Sequence, residues 1–241
     1  MSVGERPLPD LLPADDPVAT PHHVGHRERL RTRFLAQPEA LPDYELIELL
    51  LALVLPRRDT KPLAKDLLTR FGSIGRLLSA SPEQLRQVKG MGEATPAAFA
   101  IVQEAAVRLL RDRVESGPLL GNWQALLDYC HARMAHESTE QVRVLYLDRK
   151  NRLLRDEVQQ RGTVDQAALY PREVVRRALD LGASAMILVH NHPSGDPTPS
   201  KADIDLTAAV VAAAQTLGLT VHDHLVIGRT GHASFRALGL L

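Results

Sequence analysis

Cysteine is almost absent from this chain of 241 residues: Cys130 stands alone. A single thiol excludes a disulfide framework and any cysteine-rich zinc finger, and it fits a reducing compartment. Aromatic residues make up only 4%, with one Trp, so no basic face is interleaved with stacking rings. Charge of one sign is also lacking. The 29 Lys and Arg balance 29 Asp and Glu, which argues against a protein that coats nucleic acid by bulk electrostatics. Long apolar runs are missing too. The longest uncharged apolar stretch, Leu206 to Val221, is Ala-rich and interrupted by Gln215. It falls short of the roughly 20 residues a membrane span needs. No basic segment followed by an apolar one opens the chain, so no secretory signal is expected and the cytoplasm is the expected compartment.

What is present suffices for a packed core. Hydrophobic residues reach 44%, against about 45–50% in ordinary globular proteins. The length suggests one large or two small domains. The charge balance divides the chain further. Residues 1–25 net −3, carry five prolines and show no apolar period, which reads as a disordered tail. Residues 26–115 hold 15 basic and 12 acidic residues, and residues 116–241 hold 13 of each. Ser116-Gly117-Pro118 has the composition of a linker between domains at 26–115 and 119–241.

The first of these domains reads as all helical. Pro42-Asp43, Lys61-Pro62 and Ser81-Pro82 are helix starts, and Gly72 is a left-handed helix end. A long helix follows Val88-Lys89-Gly90-Met91-Gly92 and runs to about Arg113. The second domain alternates, which predicts an α/β (α+β) fold with a central mixed sheet flanked by helices. Helices are expected at about Trp123–Met134, from Pro171, and from Ser200 to about Leu217. A hairpin turns at Asp148–Asn151. The continuous apolar run Ala185–Val189 is the pattern of a central strand buried on both faces, and Leu219–Ile227 is another strand.

Chemistry concentrates between His190 and Asp203. His190 and His192 stand two apart at a strand end, so in extended backbone they project from one face and can grip one metal ion. Asp203 follows eleven residues later at a helix start, across a loop stiffened by Pro193, Pro197 and Pro199. Two His, one carboxylate and a water make a four-coordinate catalytic zinc site with an open position, where the water's pKa falls to about 7. A plainer reading competes. Ser200-Lys201-Ala202-Asp203 has the spacing of a helix cap, in which Asp203 would serve only the helix end.

These residues carry a resemblance. His-x-His, seven residues, Ser, two residues, Asp is the signature of the JAMM (MPN+) zinc peptidases, met here by His190, His192, Ser200 and Asp203. The longer string His190 to Asp196, then Pro199-Ser200, resembles the RadC family in particular. Supporting segments are Tyr146-Leu147-Asp148, Arg161-Gly162-Thr163, Pro171-Arg172-Glu173 and Asp223 to Gly228. The resemblance implies a JAMM/MPN-like domain in which His190, His192 and Asp203 ligate Zn²⁺. It implies that Ser200 hydrogen-bonds a substrate oxygen or the activated water. It also implies an upstream Glu as general base at the start of the first strand, a place held by Glu140, with Glu157 and Glu173 as rivals. Neighbouring groups should orient the imidazoles, and His222, Asp223 and His224 are candidates.

The turn Lys89-Gly90-Met91-Gly92 between helices resembles a helix-hairpin-helix, whose glycine amides can hold a DNA phosphate without reading bases. Two functions follow as expectations. One is a JAMM-type zinc metallopeptidase acting on a protein or peptide substrate. The alternative is a non-enzymatic DNA-binding accessory protein in repair or recombination, contacting DNA through Lys89, Gly90 and Gly92.

Overall fold

A computed structural model describes residues 22–162 and 169–241. Most of the segment read as a tail, and Thr163 of the quoted motif, lie outside the described residues. The first helix, α1 (His22–Ala36), begins inside that segment. Pro21 is the last residue there that lacks a backbone donor, so nothing beyond it prevents helical hydrogen bonding.

The helical part continues with α2 (Asp43–Val54), α3 (Lys61–Phe71), α4 (Ile74–Leu78), α5 (Pro82–Arg86) and α6 (Ala94–Glu115). Its boundaries follow local chemistry. Gly72, at φ +80°, ends α3 in the left-handed region that disfavours a Cβ. Ser73 caps α4, and Ser81 with Gln84 forms a reciprocal capping box on α5. Ile47, Leu51, Leu63, Leu67, Leu77, Leu85 and Phe99 are buried together in one core. Helix α6 belongs to two cores. Phe99 enters this one, whereas Val107 and Val114 pack beneath the sheet that follows.

That sheet has five strands, β1 (Glu140–Leu147), β2 (Leu153–Gly162), β3 (Ala185–Asn191), β4 (Thr220–Ile227) and β5 (His232–Ser234), in the order β2-β1-β3-β4-β5. Only β3 and β4 are parallel, so the sheet is mixed. A parallel pair needs a crossover, and helix α9 (Lys201–Gln215) supplies it. Helix α7 (Trp123–Met134) covers one face, with Leu126, Tyr129 and Met134 against Leu145, Ile187 and Leu225. Helices α8 (Pro171–Asp180) and α9 cover the other, with Val174, Ala178 and Val210 against Val144, Tyr146 and Leu188. Two covered faces bury every residue of β3, as its apolar run predicts, and they bury both sides of β1 as well. Cys130 lies in this core, and burial pushes its thiol well above the ordinary range, so it is no nucleophile at neutral pH.

Candidate metal centre

The carboxyl ends of parallel strands are where α/β sheets place their sites. Here β3 ends at His190-Asn191, and α9 starts just beyond. His190 is buried, its side chain 1% exposed. His192 and Asp203 keep 17% and 12% of their side chains open, which leaves one approach to the corner. His190 Nε2 lies 3.0 Å from His192 Nε2 and 3.3 Å from Asp203 Oδ1. His192 Nε2 lies 3.4 Å from Asp203 Oδ2.

The hydrogen bonds behind these atoms say what they offer. His192 Nδ1 sits 2.8 Å from the Asp196 carbonyl, an acceptor only, so that nitrogen carries the proton and Nε2 keeps its lone pair. His190 Nδ1 sits 2.8 Å from His224 Nε2. The corner therefore gathers two imidazole Nε2 atoms and a carboxylate around one point. This is an arrangement that only a cation or a shared proton satisfies. Two ligand atoms on a tetrahedral ion with bonds of about 2.0–2.1 Å stand roughly 3.3 Å apart, so the observed separations fit such an ion. The protonation equilibria describe the shared-proton alternative, in which the imidazoles donate to the carboxylate. The Asp203 hydrogen bond raises the His192 imidazole above its ordinary value, against desolvation, and the charge of Glu140 adds to the rise. Burial alone would raise the Asp203 carboxyl. The bonds from His190 and His192 outweigh it and hold the group ionised far below the usual carboxylate range.

The capping and ligand readings of Asp203 coexist. Ser200 Oγ accepts from the Asp203 amide at 3.2 Å, and Asp203 Oδ2 accepts from the Ser200 amide at 2.7 Å and from Ser200 Oγ at 2.6 Å. The capping box thus fixes the carboxylate on the first turn of α9, and the Ser200 hydroxyl is turned onto that carboxylate. The loop between β3 and α9 is pinned by the turn that follows β4 at the same end of the sheet. Gly195, at φ +93°, lies against Arg229, whose Nη2 donates to the Pro193 carbonyl at 2.9 Å. A Cβ on Gly228 would stand 2.6 Å from the Gly195 carbonyl oxygen, so the β4–β5 turn approaches the loop as only glycine permits.

Among the carboxylates considered as base, Glu140 stands nearest the corner. Strand β1 pairs with β3 antiparallel through Val142 and His190. Two residues further in that register, past the last pair, Glu140 falls across from His192. Asn191, between the two histidines, ties this end shut. Its Oδ1 accepts from the Gln141 amide at 2.9 Å and its Nδ2 donates to the Thr139 carbonyl at 3.2 Å, one on each side of Glu140. Glu157 instead receives Arg177 Nε at 2.8 Å, and Glu173 is half-buried and paired with Arg176. Of the three residues weighed as supports, His224 joins the site. His222 turns to Asn151, and Asp223 accepts from Ser234, the Arg236 amide and the His224 amide on the other side of β4. Asn191, Thr207 and Arg229 were not foreseen. The one sequence signal for Thr207 is its place one helical turn after Asp203, on the same face.

A mixed five-stranded sheet with two histidines at the end of β3 and a capped Asp on the next helix defines a JAB-type domain with a site that could hold a metal. Comparison with known proteins makes this particular. Residues 120–240 match the family described as "RadC-like JAB domain", and residues 22–97 match "UPF0758 N-terminal". A UPF0758 protein of Rhodobacter capsulatus is 62% identical over 213 residues, 88% of this chain and all of that one. A UPF0758 protein of Ruegeria pomeroyi is 57% identical over 217 residues, 90% of this chain and 97% of that one. The chain belongs to the RadC (UPF0758) family. No helix among the described residues is long and apolar enough to cross a membrane.

Proposed function

We propose that this chain is a zinc-dependent hydrolase of the JAMM type that cuts a peptide or isopeptide bond. One observation carries the reading: two imidazole Nε2 atoms and a carboxylate converge on one corner at the spacing of ligands on a single metal ion. His190, His192 and Asp203 would hold the ion. Zinc would supply Lewis acidity and bring a water's pKa to about 7. A lone, buried, unpaired cysteine suits the reducing cytoplasm, the compartment we assign.

The chain's own residues do the rest. Glu140 takes a proton from the attacking water and delivers it to the leaving nitrogen. Its backbone is anchored beside the histidines by the Asn191 bridge to residues 139 and 141. Ser200 Oγ turns from Asp203 to the substrate carbonyl oxygen as negative charge develops there. The test pairs metal analysis with turnover. Glu140→Gln should keep its zinc yet lose about 10²- to 10⁴-fold in cleavage of peptide or isopeptide substrates. Unchanged cleavage would move the base to another carboxylate.

A second reading, weak contact with DNA through Lys89, Gly90 and Gly92, is supported by the turn between α5 and α6. Gly90 takes φ +96°, and the Arg58 guanidinium lies over it, Nη1 donating to its carbonyl at 2.8 Å. Retention of single-stranded or branched DNA on filters, falling steeply with salt, tests it. Absence of retention at low salt removes it.

A further inference from the structure

Thr207 lies four residues after Asp203 on α9 and is buried. Its hydroxyl donates to the Asp203 carbonyl at 2.5 Å, the back-bond that Thr makes within helices. With that hydrogen committed, Oγ1 presents only lone pairs to His224 Nδ1, which lies 2.6 Å away. His224 Nδ1 therefore carries a proton. The ring is buried between His190 and a stacked Phe235, with no carboxylate on either nitrogen. A buried cation without a partner is costly, so the ring holds one proton and its Nε2 is an acceptor. His190 Nδ1, 2.8 Å away, must then donate. That leaves the lone pair of His190 on Nε2, the atom facing His192 and Asp203.

We propose that Thr207 decides, through His224, which nitrogen of His190 is offered to the metal. Thr207 and His224 are positioning residues, since neither faces the corner itself. The same hydroxyl is anchored on the Asp203 backbone. One residue thus links the presentation of a strand ligand to the helical turn that carries the carboxylate. The inference rests on the metal-site reading above, and the experiment separates the two.

Ring-nitrogen NMR of ¹⁵N-histidine-labelled, metal-free protein should show His224 and His190 both protonated at Nδ1 in the wild type and in Thr207→Ser. In Thr207→Val the acceptor is gone. The His224 proton should move to Nε2 and that of His190 should follow. Zinc affinity, measured by competition with a chromophoric chelator, should fall about 10- to 100-fold. In a His224→Gln background the amide oxygen can accept from His190 Nδ1 regardless, and adding Thr207→Val should change zinc affinity less than about twofold by the same reasoning. A wild-type His224 protonated at Nε2 overturns the proposal. So does a Thr207→Val affinity equal to wild type. Should the valine variant fail to fold, the wild-type and serine patterns still decide. Should the wild type bind no zinc, the metal reading falls, while the ring-nitrogen pattern still tests this relay.

Discussion

Strand β1 carries two clusters of buried charge that differ in one respect. Near its middle, Arg143 and Asp156 pair with side chains 8% and 2% exposed. Asp156 accepts from Arg143 Nε at 3.0 Å and Nη2 at 2.9 Å, and Tyr129 adds its hydroxyl. The Asp156 carboxylate is satisfied there and the charges cancel, with Arg143 Nη1 alone left without a partner. At the start of the strand, Glu140 neighbours a corner where the His190 and His192 Nε2 atoms and the Asp203 carboxylate face one another. A buried cluster that satisfies its own carboxylate is structure. One that sets two imidazole nitrogens and a carboxylate at the spacing of metal ligands is built for something brought from outside. The difference lies in the bookkeeping of protons, since both clusters are buried, polar and mounted on the same sheet.

The comparison can be broken by treating the two clusters alike. Asp156→Ala should have the larger effect on folding, about 3–5 kcal/mol in chemical denaturation, because it strands a buried guanidinium. Its zinc stoichiometry should match the wild type. Loss of zinc in that variant would show that the clusters are not independent. Tyr129→Phe should cost about 1.5–3 kcal/mol, the range for a hydrogen bond to a charged group. The variant also reports on pH. Burial first, then the charge and hydrogen bond of Asp156, raise the Tyr129 phenol. A folded pKa above the unfolded one gives stability that is complete below about pH 10 and is lost as pH rises through the folded value. The wild type should therefore lose more stability than Tyr129→Phe in alkali, and parallel denaturation curves would contradict the assignment.

Smaller effects are expected at the corner when metal is absent. Ser200→Ala should cost about 1 kcal/mol through the lost cap. His192→Ala should cost the metal-free protein about 0.5–1.5 kcal/mol through the lost bond to the Asp196 carbonyl, while abolishing zinc uptake. A large destabilisation in His192→Ala would make the corner a structural element like its neighbour.

The local parts of this molecule were legible in the sequence. The capping box of Ser81 and Gln84, the left-handed Gly72, the apolar run of β3 and the pairing of His190 with His192 each depend on residues a few positions apart. The contacts that finish the site do not. Asn191 reaches Gln141 and Thr139, fifty and fifty-two residues away, and Arg229 reaches Pro193 at thirty-six. His224 was one of three adjacent candidates on β4. Alternation along a strand sends Asp223 to the other face, but the shift in register that sets His222 aside, and the pairing that aligns His224 with Leu188, are visible only in the parallel ladder. The second buried side of β1 was likewise hidden, because it exists only once α7 and α8 are both in place.

The central claim is that the corner of His190, His192 and Asp203 is completed by a metal ion. Zinc content after purification and dialysis, in the wild type beside Asp203→Ala and Asp156→Ala, tests it most directly. The account predicts about one zinc per chain in the wild type and in Asp156→Ala, as for a mononuclear site, and none in Asp203→Ala. Zinc absent from the wild type, or retained in Asp203→Ala, would contradict it.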